Sequence, residues 1–293
     1  LIAHSLGESD RHRAHMLTVH SLFLCIVAWI ILAMVILPLL KLYFAWFTTN
    51  TITYDMGITY TWWIVFFSGS TFIEQTSSRI LHATGCTRLP MIFQIIGSVI
   101  NILLDPILIF GWFGFPSMGI LGAAVATIVG QVTSALLSSV SVFRRLGVFP
   151  SMISKITLQY RLMVDIFIIG FPSVLGITLV SFYVTGLNAV LSGFSETAVA
   201  VLGIYYKLQT FLLMPTYGLN QAITSIMSYN YGARLYNRMW KTLWYSLALS
   251  TVTLVLGTVV FWMYTSQLLQ IFVASDEMMR IGIPALRIIS TSF

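Results

Sequence analysis

Seven long, mostly apolar stretches run through this chain, at 16–40, 56–78, 90–111, 118–142, 162–192, 198–228 and 242–264, and an eighth begins near Met278. At 1.5 Å of rise per residue, ~20 apolar residues in a helix cross the ~30 Å hydrocarbon core of a bilayer. Only 8% of the residues are charged, against ~25% in a soluble globule, so the chain cannot cover itself with a water-facing surface. The ~10-residue alternating segments of a membrane β-barrel are not seen. The expected fold class is an all-α polytopic membrane protein, with seven full spans and a truncated eighth.

The connections between spans sort by charge. One set carries Arg11 and Arg13; Arg79 and Arg88; Arg144, Arg145, Lys155 and Arg161; and Arg234, Arg238 and Lys241. These are eleven of the fifteen Lys and Arg. They alternate with connections holding Lys41, no basic residue, none, and Arg280, while Lys207 and Arg287 lie within spans. Basic loops face the cytoplasm, so the alternation orients the spans and supports their number. The net charge of +6 is then topological, and no nucleic-acid partner is implied.

The constellations that enzymes need do not appear. Cys25 falls within a span and Cys86 in a loop, which makes no disulfide framework, and the five histidines form no ligand pair with a nearby Cys or carboxylate on one helix face. There is no glycine-rich phosphate loop, nucleophile elbow or zinc motif. The chain is not expected to be an enzyme and implies no cofactor beyond an ion.

A faint internal repeat organises the spans. Residues 2–58 lie on residues 227–283 without gaps: Gly7 on Gly232, Arg13 on Arg238, Ser21, Leu22 and Leu24 on Ser246, Leu247 and Leu249, and Phe47 on Phe272. Both copies begin on the cytoplasmic side, so the repeat is parallel, about an axis along the membrane normal. Two helices precede the second copy and two follow the first, which predicts two pseudo-symmetric six-helix bundles in an intact protein of roughly 450 residues, of which this chain is a fragment. On this reading residues 1–150 are part of the first lobe and 151–293 part of the second.

Within the third apolar stretch stands "NILLDPILIF" (101–110). Asn101 and Asp105 are four apart and share a helix face. Pro106 has no N–H, which frees the carbonyl of Ile102 in the same turn. A carboxylate, an amide and an unpaired carbonyl oxygen suit a hard cation or hold a proton. A charge at mid-bilayer costs ~2.5–3.5 kcal/mol even on insertion scales, so Asp105 is expected to face a wet cavity and to hold a cation or a proton, with a structural kink as the plainer reading.

Three stretches carry a resemblance: "ILHATGCTRLPMIFQ" (80–94), "NILLDPILIFGWFGFPSMGILGAAVATIVGQ" (101–131) and "GIYYKLQTFLLMPTYGLNQAITSIMSYNYGARLYNRM" (203–239). The chain resembles the multidrug and toxic compound extrusion (MATE) family over essentially its whole length. The resemblance implies helices 3–9 and the start of helix 10 of a twelve-helix transporter, and the export of cationic or amphipathic drugs in exchange for H⁺ or Na⁺. It also implies that Asn101 and Asp105 form an ion site with Thr127 and with an aspartate on helix 1, outside this chain. One departure concerns the second lobe: where several family members carry a glutamate after the helix 7 proline, this chain has Val180 and Ser181 after Pro172.

Further candidates for a substrate cavity or gate are Glu74, Tyr183, Asn188, Lys207 and Gln209. Glu74, near the cytoplasmic end of its span, is expected to pair with Arg79 in an intrahelical or gate salt bridge. Lys207 is expected either to snorkel to headgroups or to serve a cavity. The 14% aromatic content would suit flat cations through cation–π contacts, or simply lipid. Gly122, Ala126, Gly130 and Ser134, at four-residue spacing, form a small-residue ridge for close helix packing. The expected protein is a monomeric, multi-pass plasma-membrane antiporter, its partners being small-molecule substrates and lipid. A lipid-linked oligosaccharide flippase is the alternative, but its pyrophosphate would need more intramembrane Lys or Arg than Lys207 and Arg287.

The topology is testable. A single cysteine at Ser9, Ser154 or Asn237 should be labelled by an impermeant maleimide only from the cytoplasm, and one at Asn50 or Ser195 only from outside. Labelling of Ser154 and Ser195 from one side overturns the span count.

Overall fold

A computed structural model of the chain describes residues 1–146, 159–272 and 276–292. The expected lobe boundary at 150–151, the labelling position Ser154 and the basic Lys155 lie outside the described residues. Every regular element among the described residues is helical: α1 (Ile2–Gly7), α2 (Arg11–Phe47), α3 (Thr51–Phe67), α4 (Gly69–Ala83), α5 (Arg88–Phe110), α6 (Ile120–Leu146), α7 (Tyr160–Ser192), α8 (Glu196–Gly232), α9 (Tyr236–Met263), α10 (Thr265–Gln270) and α11 (Asp276–Ile289), with single 3₁₀ turns at Trp112–Gly114 and Ser290–Ser292. Six of these helices, α2 and α5 to α9, are long and apolar enough to cross a membrane.

Expected span 56–78 differs: it breaks at Ser68 into α3 and α4. The Ser68 and Ser70 hydroxyls donate to the carbonyls of Val65 and Phe67, each at 2.8 Å, so side chains compete for the backbone acceptors at the junction. Gly69 sits against the Trp29 ring, where any Cβ would collide.

Local chemistry sets the helix ends. Asp10 caps α2, its Oδ1 accepting the Arg13 N–H at 2.9 Å, which is the role of the aspartate in the basic loop "GESDRHR". Asn50 caps α3 by accepting the N–H groups of Ile52 and Thr53. Gly111, at φ +77°, ends α5 in the left-handed conformation. Between their ends the long helices show apolar side chains outward: Met34 on α2, Leu103 on α5, Ile177 on α7 and Leu256 on α9 are all well over half exposed, as lipid-facing surface requires.

The chain divides into two compact units. The first comprises residues 1–166 with 228–234, and the second residues 167–227 with 235–293. In the second unit, Leu202 and Tyr205 of α8, Phe261 of α9, Leu269 of α10 and Leu286 of α11 form a buried apolar cluster.

The first unit holds two features of close approach. His20, fully buried on α2, is clamped at both ring nitrogens. The backbone N–H of Gln159 can only donate, so Nε2 accepts it at 2.9 Å, and Nδ1 therefore carries the proton and donates to the Met16 carbonyl at 2.7 Å. The start of α7 is thereby tied to α2. The second feature is reciprocal. A Cβ on Gly7 would strike the Tyr229 carbonyl and lie 2.9 Å from the Ala233 nitrogen, and a Cβ on Gly232 would strike the His4 carbonyl and lie 3.3 Å from the Glu8 nitrogen. Each partner of one glycine sits 225 residues from the matching partner of the other, which is the offset of the sequence repeat.

The tightest packing joins α5 and α6. A Cβ on Gly97 would collide with the Ser134 hydroxyl and lie 2.7 Å from the Gly130 carbonyl, and one on Gly130 would lie 2.5 Å from the Gly97 carbonyl. The Ser134 hydroxyl donates to the Phe93 carbonyl across the interface at 2.8 Å. The small-residue ridge of α6 thus meets α5 backbone to backbone, as helices do where lipid supplies no hydrophobic drive to associate them. Polar staples add α4: Thr71 Oγ1 donates to Gln131 Oε1 at 2.7 Å, and Ser77 and Ser139 share a hydrogen bond at 3.3 Å.

A Gly97→Leu substitution places a side chain where the α6 backbone runs. It should destabilise the protein by about 1–3 kcal/mol or more, read as a lowered melting temperature in detergent. Gly170→Ala, where a Cβ meets nothing within 4 Å, should not lower it.

Candidate functional site

Because α5 and α6 cross at glycines, polar side chains one turn beyond the crossing come within reach of each other. Asn101 Nδ2 points to Asp105 Oδ1 at 3.5 Å along α5 and to Thr127 Oγ1 at 3.3 Å across to α6. Thr127 donates its own hydroxyl proton to the Ala123 carbonyl at 2.9 Å, so its lone pairs are what Asn101 meets. Both Asn101 contacts are long for N–H···O bonds. The three side chains, each half-buried, are gathered around a shared space without clamping one another. Pro106 lies inside the continuous α5, in the turn that carries Asp105.

Next to this trio α4, α5 and α6 line an open polar cavity of about 240 Å³. Its walls come from α4 (Thr71, Glu74, Gln75), from α5 between Gln94 and Asn101, and from α6 between Thr127 and Ser134. Asn101 and Thr127 line its end, and Asp105 is the next residue of that helix face after Asn101.

Glu74 is on this cavity wall and 7% exposed. Its Oε1 accepts from the Ser78 hydroxyl at 2.8 Å. The expected salt bridge with Arg79 does not form. Among the described residues the ion pairs are those of Glu8 with His4 and with Arg13. The reason is helical phase: five residues at ~100° each turn Arg79 about 140° away from Glu74, and Arg79 is exposed.

The remaining candidates stand in the second unit, on α7 and α8. Lys207 is exposed and holds its Nζ 5.8 Å from the centre of the Phe272 ring, a cation–π contact. Tyr183 is 64% exposed. Asn188 donates to the Val184 carbonyl at 2.9 Å within its own helix, and Gln209 is half-buried. None of these four lines the polar cavity.

Gln75, Gln94 and Gln131 were not singled out from the sequence. Glutamine is unremarkable even in an apolar helix until one knows that three helices turn three of them to one space. The α6 ridge was legible, but which side of the ridge faced a cavity was not.

Aromatic side chains gather elsewhere. Trp29, Phe66 and Phe67 line a separate, largely apolar cavity of about 380 Å³ beside α3, α4 and α6.

Comparison with known proteins agrees with this architecture. Residues 1–107 and 172–293 match the family model MatE. The chain is 25% identical over 216 residues to the probable multidrug resistance protein YoeA of Bacillus subtilis, covering 72% of this chain and 46% of that one. It is 30% identical over 155 residues to the multidrug export protein MepA of Staphylococcus saprophyticus, covering 52% and 33%. It is 27% identical over 205 residues to the probable multidrug resistance protein NorM of Thermotoga maritima, covering 70% and 44%. The chain thus spans between a third and a half of the length of these relatives. A solved structure, the outward-facing conformation of a multidrug resistance MATE family transporter of the MOP superfamily, superposes with a TM-score of 0.89 at 23% identity over 98% of this chain and 63% of that one. A MATE in complex with MaL6 superposes with a TM-score of 0.85, also at 23% identity, over 98% and 64%. The match to the family model over most of the chain, on a fold of packed apolar helices, places it: this is a multi-pass membrane protein of the MATE transporter family, not an enzyme.

Proposed function

We propose that the protein is a secondary active antiporter of the cell membrane that exports cationic or amphipathic drugs and toxins in exchange for H⁺ or Na⁺, working as a monomer. The observation that carries this reading is the Asn101–Asp105–Thr127 grouping: a carboxylate, an amide and a hydroxyl from two helices, converging at membrane depth in a family of transporters. The names of the relatives, multidrug resistance and multidrug export proteins, support the direction of transport and the kind of cargo.

The physics of coupling follows from charge. A bare carboxylate in the membrane favours a hydrated surrounding, and a bound cation or proton cancels its charge so that the helices can close over it. An ion shifts that equilibrium only as far as its affinities for the two states differ. Asn101 now turns its Nδ2 to Asp105 and Thr127. Holding Na⁺ requires the amide to turn about and present Oδ1, because a cation needs oxygen ligands. Holding a proton requires no such turn. A lipid-linked oligosaccharide flippase would need basic groups for the pyrophosphate, and none lines this cavity.

Efflux of a fluorescent cation from vesicles carrying the protein expressed from its full-length gene, under separately imposed Na⁺ and pH gradients, tests the proposal. Asp105→Asn should abolish gradient-driven efflux while insertion and melting temperature hold. Asn101→Ala and Thr127→Ala, each removing one neutral ligand, should slow it less, by about tenfold or under. If only the Na⁺ gradient drives transport, Asn101→Ala should also raise the Na⁺ concentration needed for half-maximal rate. Normal efflux by Asp105→Asn at matched expression overturns the assignment and leaves the residue a structural kink.

A further inference from the structure

The polar cavity between α4, α5 and α6 has a chemistry of its own. All eleven residues that line it are glycines or carry a hydroxyl, a carboxamide or, at Glu74 alone, a carboxylate. None is aromatic and none is aliphatic. The wall is thus a set of hydrogen-bonding groups around one acid.

Those groups are in part already committed. Thr71 uses the Gln131 carbonyl oxygen, which leaves the Gln131 NH₂ free of that bond. Ser78 uses one oxygen of Glu74. The second Glu74 oxygen has no hydrogen-bond partner among the described residues, on a side chain more than nine-tenths buried in the protein. Gln75 and Gln94 stand exposed on the same wall. A carboxylate oxygen that opens on the cavity and meets no cation there among the described residues is well matched by a ligand that brings both positive charge and N–H donors.

Cations differ sharply in this respect. A quaternary ammonium has no N–H to give and is recognised by aromatic faces. Here the aromatic side chains Trp29, Phe66 and Phe67 line the other, apolar cavity. An amidinium, guanidinium or primary ammonium presents two or more N–H groups, one pair for the carboxylate and the rest for carboxamide and hydroxyl oxygens.

We infer that Glu74, with Gln75, Gln94 and Gln131, forms a binding site for cations that carry N–H donors, amidinium or guanidinium above all, and that it discriminates against quaternary ammonium ions of the same charge and size. This deepens the transport reading and rests on it for the site's purpose, though not for its chemistry. It also moves the expected basis of drug recognition from aromatic stacking to hydrogen bonding.

The test uses a matched pair of phenyl monocations, benzamidinium and phenyltrimethylammonium, titrated calorimetrically into the purified protein expressed from its full-length gene. Benzamidinium should bind at least tenfold more tightly. Glu74→Gln should weaken it by at least tenfold and largely erase the preference, Glu74→Asp should keep most of it, and Gln94→Leu should weaken benzamidinium by a smaller factor. Where Glu74→Gln fails to fold, the preference of the unaltered protein and the Gln94→Leu variant decide. Equal or tighter binding of phenyltrimethylammonium overturns the inference, as does unchanged benzamidinium affinity in Glu74→Gln. Gradient-driven efflux of other cations without benzamidinium binding sinks this site and leaves the transport reading standing. Benzamidinium binding with the predicted preference but no gradient-driven efflux supports the site and sinks the transport reading.

Discussion

The crossing of α5 and α6 at Gly97 and Gly130 is the constraint on which the first unit depends. In lipid, helix surfaces gain nothing from hiding apolar side chains from each other, so association rests on van der Waals contact and interhelical hydrogen bonds. Both need close backbones. Gly97 and Gly130 remove the side chains that would hold the helices apart, and Ser134 then spans the gap to the Phe93 carbonyl. One turn further on, the same proximity brings Thr127 to Asn101. With a larger residue at either glycine, those two side chains would be held too far apart to meet.

The same packing determines where polarity can reside. A carboxylate at membrane depth is tolerated only against protein or water. The three helices meet the demand by turning their polar faces together: α4 contributes Glu74 and Gln75, α5 Gln94 and Asn101, and α6 Thr127 and Gln131. Their other faces carry Leu103, Ile102 and Leu136 outward, each more than 60% exposed. Site and lipid surface are two sides of one amphipathic arrangement, and a substitution on either side is felt through the helix on the other.

The two units make different use of their polar candidates. In the first, Asn101, Asp105, Thr127 and Glu74 lie on or next to one cavity. In the second, Asn188 satisfies its own helix, Lys207 lies over Phe272, and Tyr183 is mostly exposed. The absence of a glutamate after Pro172 is consistent with that division: the acids that belong to the polar grouping, Asp105 and Glu74, both stand in the first unit.

What the sequence alone determined is what depends on neighbours along the chain. Apolar length placed the six long membrane helices, and the spacing of Asn101 and Asp105 put an amide and a carboxylate on one turn. The ridge at Gly122, Ala126, Gly130 and Ser134 was visible for the same reason, since four-residue spacing is one helix face. Tertiary structure alone decided which helix that ridge would meet, and so that Gln94 and Gln131, far apart in the chain, would share a cavity with Glu74. It broke span 56–78 at Ser68, where hydroxyls bond back to the chain and Trp29 presses on Gly69. The separation of Glu74 from Arg79, by contrast, already followed from their five-residue spacing, which sets them about 140° apart on any helix. The residues that line a cavity are chosen by the closeness of helices, and closeness is a property of pairs of surfaces that no single stretch of sequence contains.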